Sequence, residues 1–370
     1  MEKKMLFAPG PVLTTERVKN AALMPDICHR GKYFEIMFSE LRGKILKLYN
    51  CDDTYVSAVI SGSGTASNES VYSSLCGSKD KVLLITNGEF GNRLKDIIEC
   101  YNINYRELKY RWGEYPDLPD IEKILKEDNE ITITGMVCHE TSTGIINPVK
   151  EVGELCRKYN KLFFLDAISA VGGEYLDFSD YNVDVCTGVS NKCLGAHPGV
   201  SFVVFKKNLI QKLNSNKPRN IYLNLGRHLK IAGEKNQTPN TPSVIMMNVL
   251  LTAINETLEE GVDNRIERYK KRAQQIRDGL SAIGLEIFLK DPKQMANTIT
   301  TAYLPPEIPM PDFLNAMEEA GYVFYDGKGE LRSKNLFQIA NMGNISRDDC
   351  TEMLKTLRAV LKNKFGYKTA

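Results

Sequence analysis

Leu162-Phe163-Phe164-Leu165-Asp166-Ala167 is an apolar run that stops at a carboxylate. Ser190-Asn191-Lys192-Cys193-Leu194-Gly195 follows a second β-rich run, Val183 to Val189. Both runs have the length and the branched and aromatic composition of buried strands. The sequence therefore places Asp166 at the C-terminal end of one strand and Lys192 just past the next. Ligands on open α/β sheets gather at the carboxyl ends of strands, so this pair marks a candidate site.

Working outward, apolar runs alternate with amphipathic segments through the first two-thirds of the chain. Tyr33 to Tyr49 reads as a helix, with Phe34, Met37, Phe38, Leu41, Ile45 and Leu48 at helical spacing. Strands are expected at Tyr55 to Ile60, Val82 to Thr86, Ile131 to Cys138, Leu162 to Leu165, Val183 to Val189 and Val200 to Phe205. Helices are expected at Thr65 to Leu75, Arg93 to Tyr101 and Val149 to Tyr159. This alternation predicts an α/β fold: a large domain with a mostly parallel mixed sheet covered by helices on both faces. The last third differs. Long helical patterns cover Val244 to Leu258 and Asn264 to Ile283. Short strands follow at Leu285 to Leu289, Thr298 to Leu304, Tyr322 to Tyr325 and Leu336 to Ala340, with a final helix opening at Ser346. Ser346-Arg347-Asp348-Asp349 reads as a capping box with Asp in place of Glu. This part predicts a smaller α+β C-terminal domain. The expected division is an N-terminal arm at 1–20, a large domain at 21–240 and a small domain at 241–370, linked by the Pro-, Thr- and Asn-rich segment Asn236 to Pro242.

The 370 residues suffice for a full enzyme core. The net charge of +2, from 48 basic and 46 acidic side chains, gives no nucleic-acid footprint. Nine scattered cysteines without a C-x-x-C read as reduced thiols of a cytoplasmic protein. The N-terminal residues contain no h-region, and no apolar stretch reaches transmembrane length, so neither a signal peptide nor a membrane anchor is expected.

Further motifs fall at strand ends. Ser61-Gly62-Ser63-Gly64-Thr65 follows a strand and opens a helix, where glycines let backbone N–H groups approach an anion. It is neither a Walker A loop nor a G-x-G-x-x-G turn. Asn87-Gly88-Glu89-Phe90-Gly91 offers a ring that can stack on a flat cofactor. His139-Glu140-Thr141-Ser142-Thr143-Gly144 offers a hydroxyl at Thr141. No x-x-H follows His139-Glu140 and the chain has four histidines, so no metal site is expected. Singly, each motif has a plain structural reading: a tight turn, a core phenylalanine, a turn aspartate, an exposed lysine. Their arrival in one order at successive strand ends argues for one site. A strand-end carboxylate and a following lysine are what pyridoxal phosphate requires, the lysine as Schiff-base partner and the carboxylate to hold the pyridine nitrogen protonated.

With these residues in place, the chain resembles the class V aminotransferases among fold-type-I pyridoxal-phosphate enzymes. More closely, it resembles alanine–glyoxylate or serine–pyruvate transaminases and 2-aminoethylphosphonate–pyruvate transaminase. The likeness runs from Ala8-Pro9-Gly10-Pro11 through Cys28-His29-Arg30 and the motifs above to Gln237-Thr238-Pro239-Asn240-Thr241-Pro242. It implies that Lys192 holds pyridoxal 5'-phosphate and that Asp166 faces the pyridine nitrogen. By the same resemblance Ser63, Gly64 and Thr65 cradle the phosphate, Phe90 stacks on the ring, and Thr141 lies near the ring hydroxyl. Thr241 is then the threonine that reaches the neighbouring subunit's phosphate, which implies a homodimer with shared sites. The partners implied are a small-molecule amine donor and an oxo-acid acceptor.

One departure stands out. Where the family carries a substrate-binding arginine in a strand reading roughly Phe-Arg-Ile-Gly-Asn, this chain reads Phe337-Gln338-Ile339-Ala340-Asn341. A neutral amide cannot supply the two parallel charge-assisted bonds of a guanidinium. This predicts an amino donor other than a simple α-amino acid or aminoethylphosphonate, with Arg30, Arg227 or Arg332 as an alternative anion contact. A lyase on the same fold and a non-catalytic binding protein are the competing readings. Desulfuration is disfavoured because only Cys193 and Cys350 lie beyond Lys192.

Overall fold

The computed structural model describes residues 4–368. Its centre is a seven-stranded sheet. The spatial order is Tyr55–Ser61, Val200–Lys206, Val185–Val189, Leu162–Asp166, Ile131–Val137, Lys81–Thr86 and Asn104–Lys109. Val200–Lys206 is antiparallel to both neighbours and every other pairing is parallel. Successive strand residues face opposite sides, so Phe163 and Leu165 enter one apolar cluster and Phe164 the other. Helices Lys32–Lys47, Val149–Lys158 and Val244–Glu260 cover the first face. Helices Gly64–Leu75, Glu89–Cys100 and Leu225–Lys235 cover the second. The edge strand Asn104–Lys109 is polar and largely exposed, which blunts further pairing.

The C-terminal part has a three-stranded antiparallel sheet in which Leu336–Ala340 lies between Ile299–Tyr303 and Tyr325–Asp326. Helices Val262–Ile283, Met310–Glu319 and Arg347–Phe365 pack on it around Phe313, Phe337, Met353 and Leu357. The capping box is formed: Asp349 N–H donates to Ser346 Oγ, and Ser346 N–H to the Asp349 carboxylate. The N-terminal arm joins this unit. Met5–Leu6 pairs in parallel with Tyr322–Val323, and Phe7 is buried in the small core.

Three expectations need correcting, and the domain division remains a proposal. Leu285 to Leu289 is not a strand; only Ile287 bridges to Ala302, because the chain turns away into a 3-10 turn at Pro292. The helix expected from Arg93 begins at Glu89, because the Glu140 carboxylate accepts from the N–H groups of Phe90 and Gly91. Tyr322 to Tyr325 divides into two short strands with different partners. Val244–Glu260 packs on the large sheet through Met247, Leu250, Ala253 and Ile254, so we propose Gly261, rather than residue 241, as the point where the small domain begins. Among the described residues no helix is long and apolar enough to cross a membrane.

Candidate active site

Asp166 ends its strand in the middle of the sheet, where both faces are covered, and it is buried. Two donors hold its carboxylate. Asn68 Nδ2 donates to Oδ2 at 2.6 Å, and the Ile168 N–H donates to Oδ1 at 3.0 Å. Thr187, on the next strand, donates to Asn68 Oδ1 at 2.6 Å, which fixes the amide's orientation. Burial pushes the Asp166 pKa up from the ordinary carboxylate value. The two donors pull the other way, as do the positive charges of Arg93 and Lys192. A cation placed against this carboxylate would restore its charge, as a protonated pyridine nitrogen does.

Lys192 lies in the turn after Val185–Val189, and its Nζ donates to the Pro9 carbonyl. The arm segment Ala8-Pro9-Gly10 therefore closes over the lysine. Gly10 has φ +123°, a conformation that side chains rarely adopt, and a Cβ there would meet Lys192 Cδ and Cε at 3.2 Å. The Lys192 pKa falls to about 8. Burial is the main cause, followed by the charge of Lys328; Cys193 opposes, Arg93 adds to the lowering, and Asp166 opposes. An amine so placed is neutral in about a tenth of molecules at pH 7, far more than an ordinary lysine, and is a competent nucleophile.

The phosphate cradle that the resemblance implies falls at the N-terminus of Gly64–Leu75. Ser63 is the N-cap residue, yet its side chain makes no capping bond, leaving hydroxyl and helix N–H groups open to an anion. Gly64 is required for close packing, because a Cβ there would lie 2.7 Å from Ile168 Cδ1. The cradle is thereby pressed against the segment that follows Asp166. Thr65 lies one residue further into the same first turn.

Phe90 opens helix Glu89–Cys100, held there by Glu140. That buried carboxylate accepts from the N–H groups of Phe90, Gly91 and Ser142 and from Ser142 Oγ. Burial raises its pKa and these donors lower it. Thr141 is buried and its Oγ1 has no partner. Gln338 is also fully buried. Its Nε2 donates to the carbonyls of Thr141 and Ser142 at 2.8 and 3.0 Å and to Thr301 Oγ1 at 3.1 Å, whereas Oε1 is unpartnered. Two carbonyls can only accept, so they fix this amide with its oxygen left over.

Arg30 and Thr241 stand apart from this cluster. Arg30 donates to Gln237 Oε1 at 3.0 Å and to the Thr238 carbonyl at 2.7 Å. Thr241, further along that segment, is exposed. The Ser243 N–H donates to Ser61 Oγ at 2.9 Å, which brings the segment beside the phosphate turn. Arg332 is exposed and pairs with Asp326 at 2.8 Å. Cys193 is buried and donates to the Ser169 carbonyl, and Cys350 is buried within a helix, so neither offers a mobile thiolate. Sequence reading missed Asn68, Glu140, Arg93 and Lys328. Asn68 carried the one usable signal, a polar residue on the helix face that packs on the sheet.

The residues present fit pyridoxal phosphate. Thr141 Oγ1 is a buried hydroxyl awaiting a partner, Ser63 is an uncommitted cap, and a carboxylate and a partly neutral lysine lie at neighbouring strand ends. Fold and site together define a fold-type-I pyridoxal-phosphate transferase. The model of the family described as Aminotransferase class-V matches residues 16–329, and the chain belongs to that family. It is a pyridoxal-phosphate-dependent aminotransferase. It is 32% identical over 368 residues to an uncharacterized aminotransferase of Methanocaldococcus jannaschii, covering 99% of this chain and 94% of the relative. It is 31% identical to 2-aminoethylphosphonate–pyruvate transaminase of Lysinibacillus sphaericus, covering 98% and 99%. Among solved structures, ureidoglycine–glyoxylate aminotransferase of Bacillus subtilis superposes with a TM-score of 0.93 at 25% identity, covering 100% of this chain and 95% of the other. Alanine–glyoxylate aminotransferase of Nostoc gives 0.92 at 26%, covering 98% and 96%.

Proposed function

We propose that the chain moves an amino group from a primary amine or amino acid to a small 2-oxo acid such as pyruvate or glyoxylate, with Lys192 and Asp166 as its catalytic residues. The single observation that carries this is the Lys192 amine, held partly neutral at a strand end beside a buried carboxylate. Bound pyridoxal phosphate supplies an electrophilic aldehyde and an electron-withdrawing ring. Lys192 Nζ, when free, would take a proton from the carbon that bears the donor's amino group, carry it as an ammonium, and give it up again later in the cycle. Asp166, with Asn68 and the Ile168 N–H behind it, would keep a proton on the pyridine nitrogen. Ser63, Gly64 and Thr65 would hold the cofactor's phosphate, Phe90 would pack on its ring, and Thr141 Oγ1 would bond its ring hydroxyl. Gln338 lines the substrate side with a neutral acceptor. The amino donor is 2-aminoethylphosphonate-like or a less acidic amine.

The homodimer is part of the same proposal. Leu23, Tyr33, Ile36, Ile221, Tyr222 and Ile245 are exposed apolar residues. Tyr222 OH donates to the Ser61 carbonyl at 3.1 Å, so this surface reaches the phosphate turn. A second copy covering it would bring Thr241 to its neighbour's phosphate, with Arg30 positioning the segment that carries Thr241. A cytoplasmic location belongs to the same proposal, and the free cysteines support it.

The test is a screen of amine donors and oxo-acid acceptors, followed by the spectral change of the bound cofactor and by product analysis. The expected products are an oxo compound and an aminated acid, with turnover abolished in Lys192→Ala. Bond cleavage in the donor without amino transfer would refute the proposal.

A further inference from the structure

The Phe90 ring carries two cations. The Arg93 guanidinium carbon lies 4.9 Å from the ring centroid and Lys328 Nζ lies 5.0 Å from it. Arg93 comes from helix Glu89–Cys100 of the large unit. Lys328 comes from the turn between Tyr325–Asp326 and the 3-10 helix Gly329–Lys334 of the small one. Among the described residues neither side chain makes an ion pair or a hydrogen bond; each contacts the Phe90 ring.

Glu89, Glu140 and Asp326 act on Lys328 at a distance and hold its pKa up in part, but none forms an ion pair with it. Glu140 is filled by backbone N–H groups and Ser142, Asp326 is paired with Arg332, and Glu89 makes no ion pair with either cation. Two half-buried like charges against one ring are costly unless an anion joins them. The Lys328 pKa records this strain, lowered first by burial and then by Arg93. Lys328 is also the largest charge lowering the pKa of Lys192, and Arg93 adds to it, so both cations act electrostatically on the amine. The neutral Gln338 amide, with its N–H groups spent on protein acceptors, supplies no competing charge.

We propose that Arg93 and Lys328 form the anion subsite of this enzyme, one jaw from each unit, gripping a dianionic phosphonate or phosphate at the end of the amino donor remote from its amine. This rests on the aminotransferase reading above and names the substrate class for it. Two fixed positive charges match a doubly ionised oxyanion better than a single carboxylate. An anion held by both jaws also draws the small unit toward the large one over Lys192.

The test is calorimetric titration of methylphosphonate into the cofactor-loaded protein, at a pH where the probe is doubly ionised. The wild type is compared with Arg93→Gln, Lys328→Gln and Lys328→Arg. Each glutamine variant is expected to bind roughly ten- to hundredfold more weakly, the loss of one charge-assisted contact. Lys328→Arg is expected to hold the affinity within a few-fold, and acetate to bind the wild type at least about tenfold more weakly than methylphosphonate. Equal affinity in all four proteins, no binding of methylphosphonate, or acetate binding as tightly would overturn the subsite. The visible absorbance of the lysine-bound cofactor, read on the same samples, keeps the two ideas separate. A normal band with unchanged anion affinity defeats the subsite alone; no band in the wild type defeats the aminotransferase reading beneath it.

Discussion

Replacing Lys192 with methionine should stabilise the cofactor-free protein, and the gain should depend on pH in a defined way. The amine ionises at about 10.5 in the unfolded chain and at about 8 in the fold, chiefly because it is buried. At about 1.4 kcal/mol per unit, keeping it charged near pH 7 costs the folded state about 3 kcal/mol. Methionine matches the length of the lysine stem lying against Gly10 and carries no charge. It also leaves the Pro9 carbonyl without its donor, a loss of about 1 kcal/mol. The net expected gain at pH 7 is about 2 kcal/mol. The sign with pH follows from proton counting. Between pH 8 and 10.5 the unfolded chain holds a proton that the folded chain has shed, so wild-type stability rises with pH across that window. The penalty is complete below pH 8, has fallen to about 1 kcal/mol at pH 10, and is gone above 10.5. The assay is urea unfolding of both cofactor-free proteins at pH 7 and pH 10. A higher midpoint for Lys192→Met at pH 7 that vanishes at pH 10 supports the reasoning. A variant less stable than wild type at pH 7, or a gain independent of pH, refutes it.

Three other outcomes are expected. Asn68→Ala removes the 2.6 Å bond to Asp166 and leaves Thr187 without its acceptor. It should lower kcat about ten- to hundredfold and move the acidic limb of the pH profile upward; an unmoved limb would assign Asn68 to packing alone. Gln338→Arg buries a charge among the carbonyls of Thr141 and Ser142. It should lower stability by about 2 kcal/mol or more and improve the use of small anionic donors; no gain with any such donor would show that the position does not face substrate. Tyr33→Glu and Ile36→Glu place charges on the exposed apolar surface and should yield monomers in sedimentation, whereas a persistent dimer would relocate the interface.

The large sheet was legible because its strands are buried on both faces and read as continuous apolar runs, Leu162 to Leu165 and Val200 to Phe205 above all. Elements without such a run were missed. Asn104–Lys109 is a polar edge strand, held by pairing with Lys81–Thr86 rather than by its own burial. Leu285 to Leu289 has strand-like residues but pairs only at Ile287, because tertiary context decides how far a ladder extends. At the site, the residues that we propose act directly, Asp166, Lys192, Ser63 and Thr141, sit at strand ends and so were visible. Residues that touch these from behind were not, because their partners are remote in sequence. Asn68 reaches Asp166 across 98 positions, and Lys192 meets Pro9 across 183. The start of the helix at Glu89 depends on Glu140, which local propensity cannot show.

The most direct measurement is chemical. The purified protein, loaded with pyridoxal phosphate, is reduced with borohydride, digested, and its modified peptide sequenced by mass spectrometry. The expected result is a single phosphopyridoxyl label on Lys192, absent from Lys192→Ala. A label on another lysine, Lys328 included, or no label at all, would contradict the assignment.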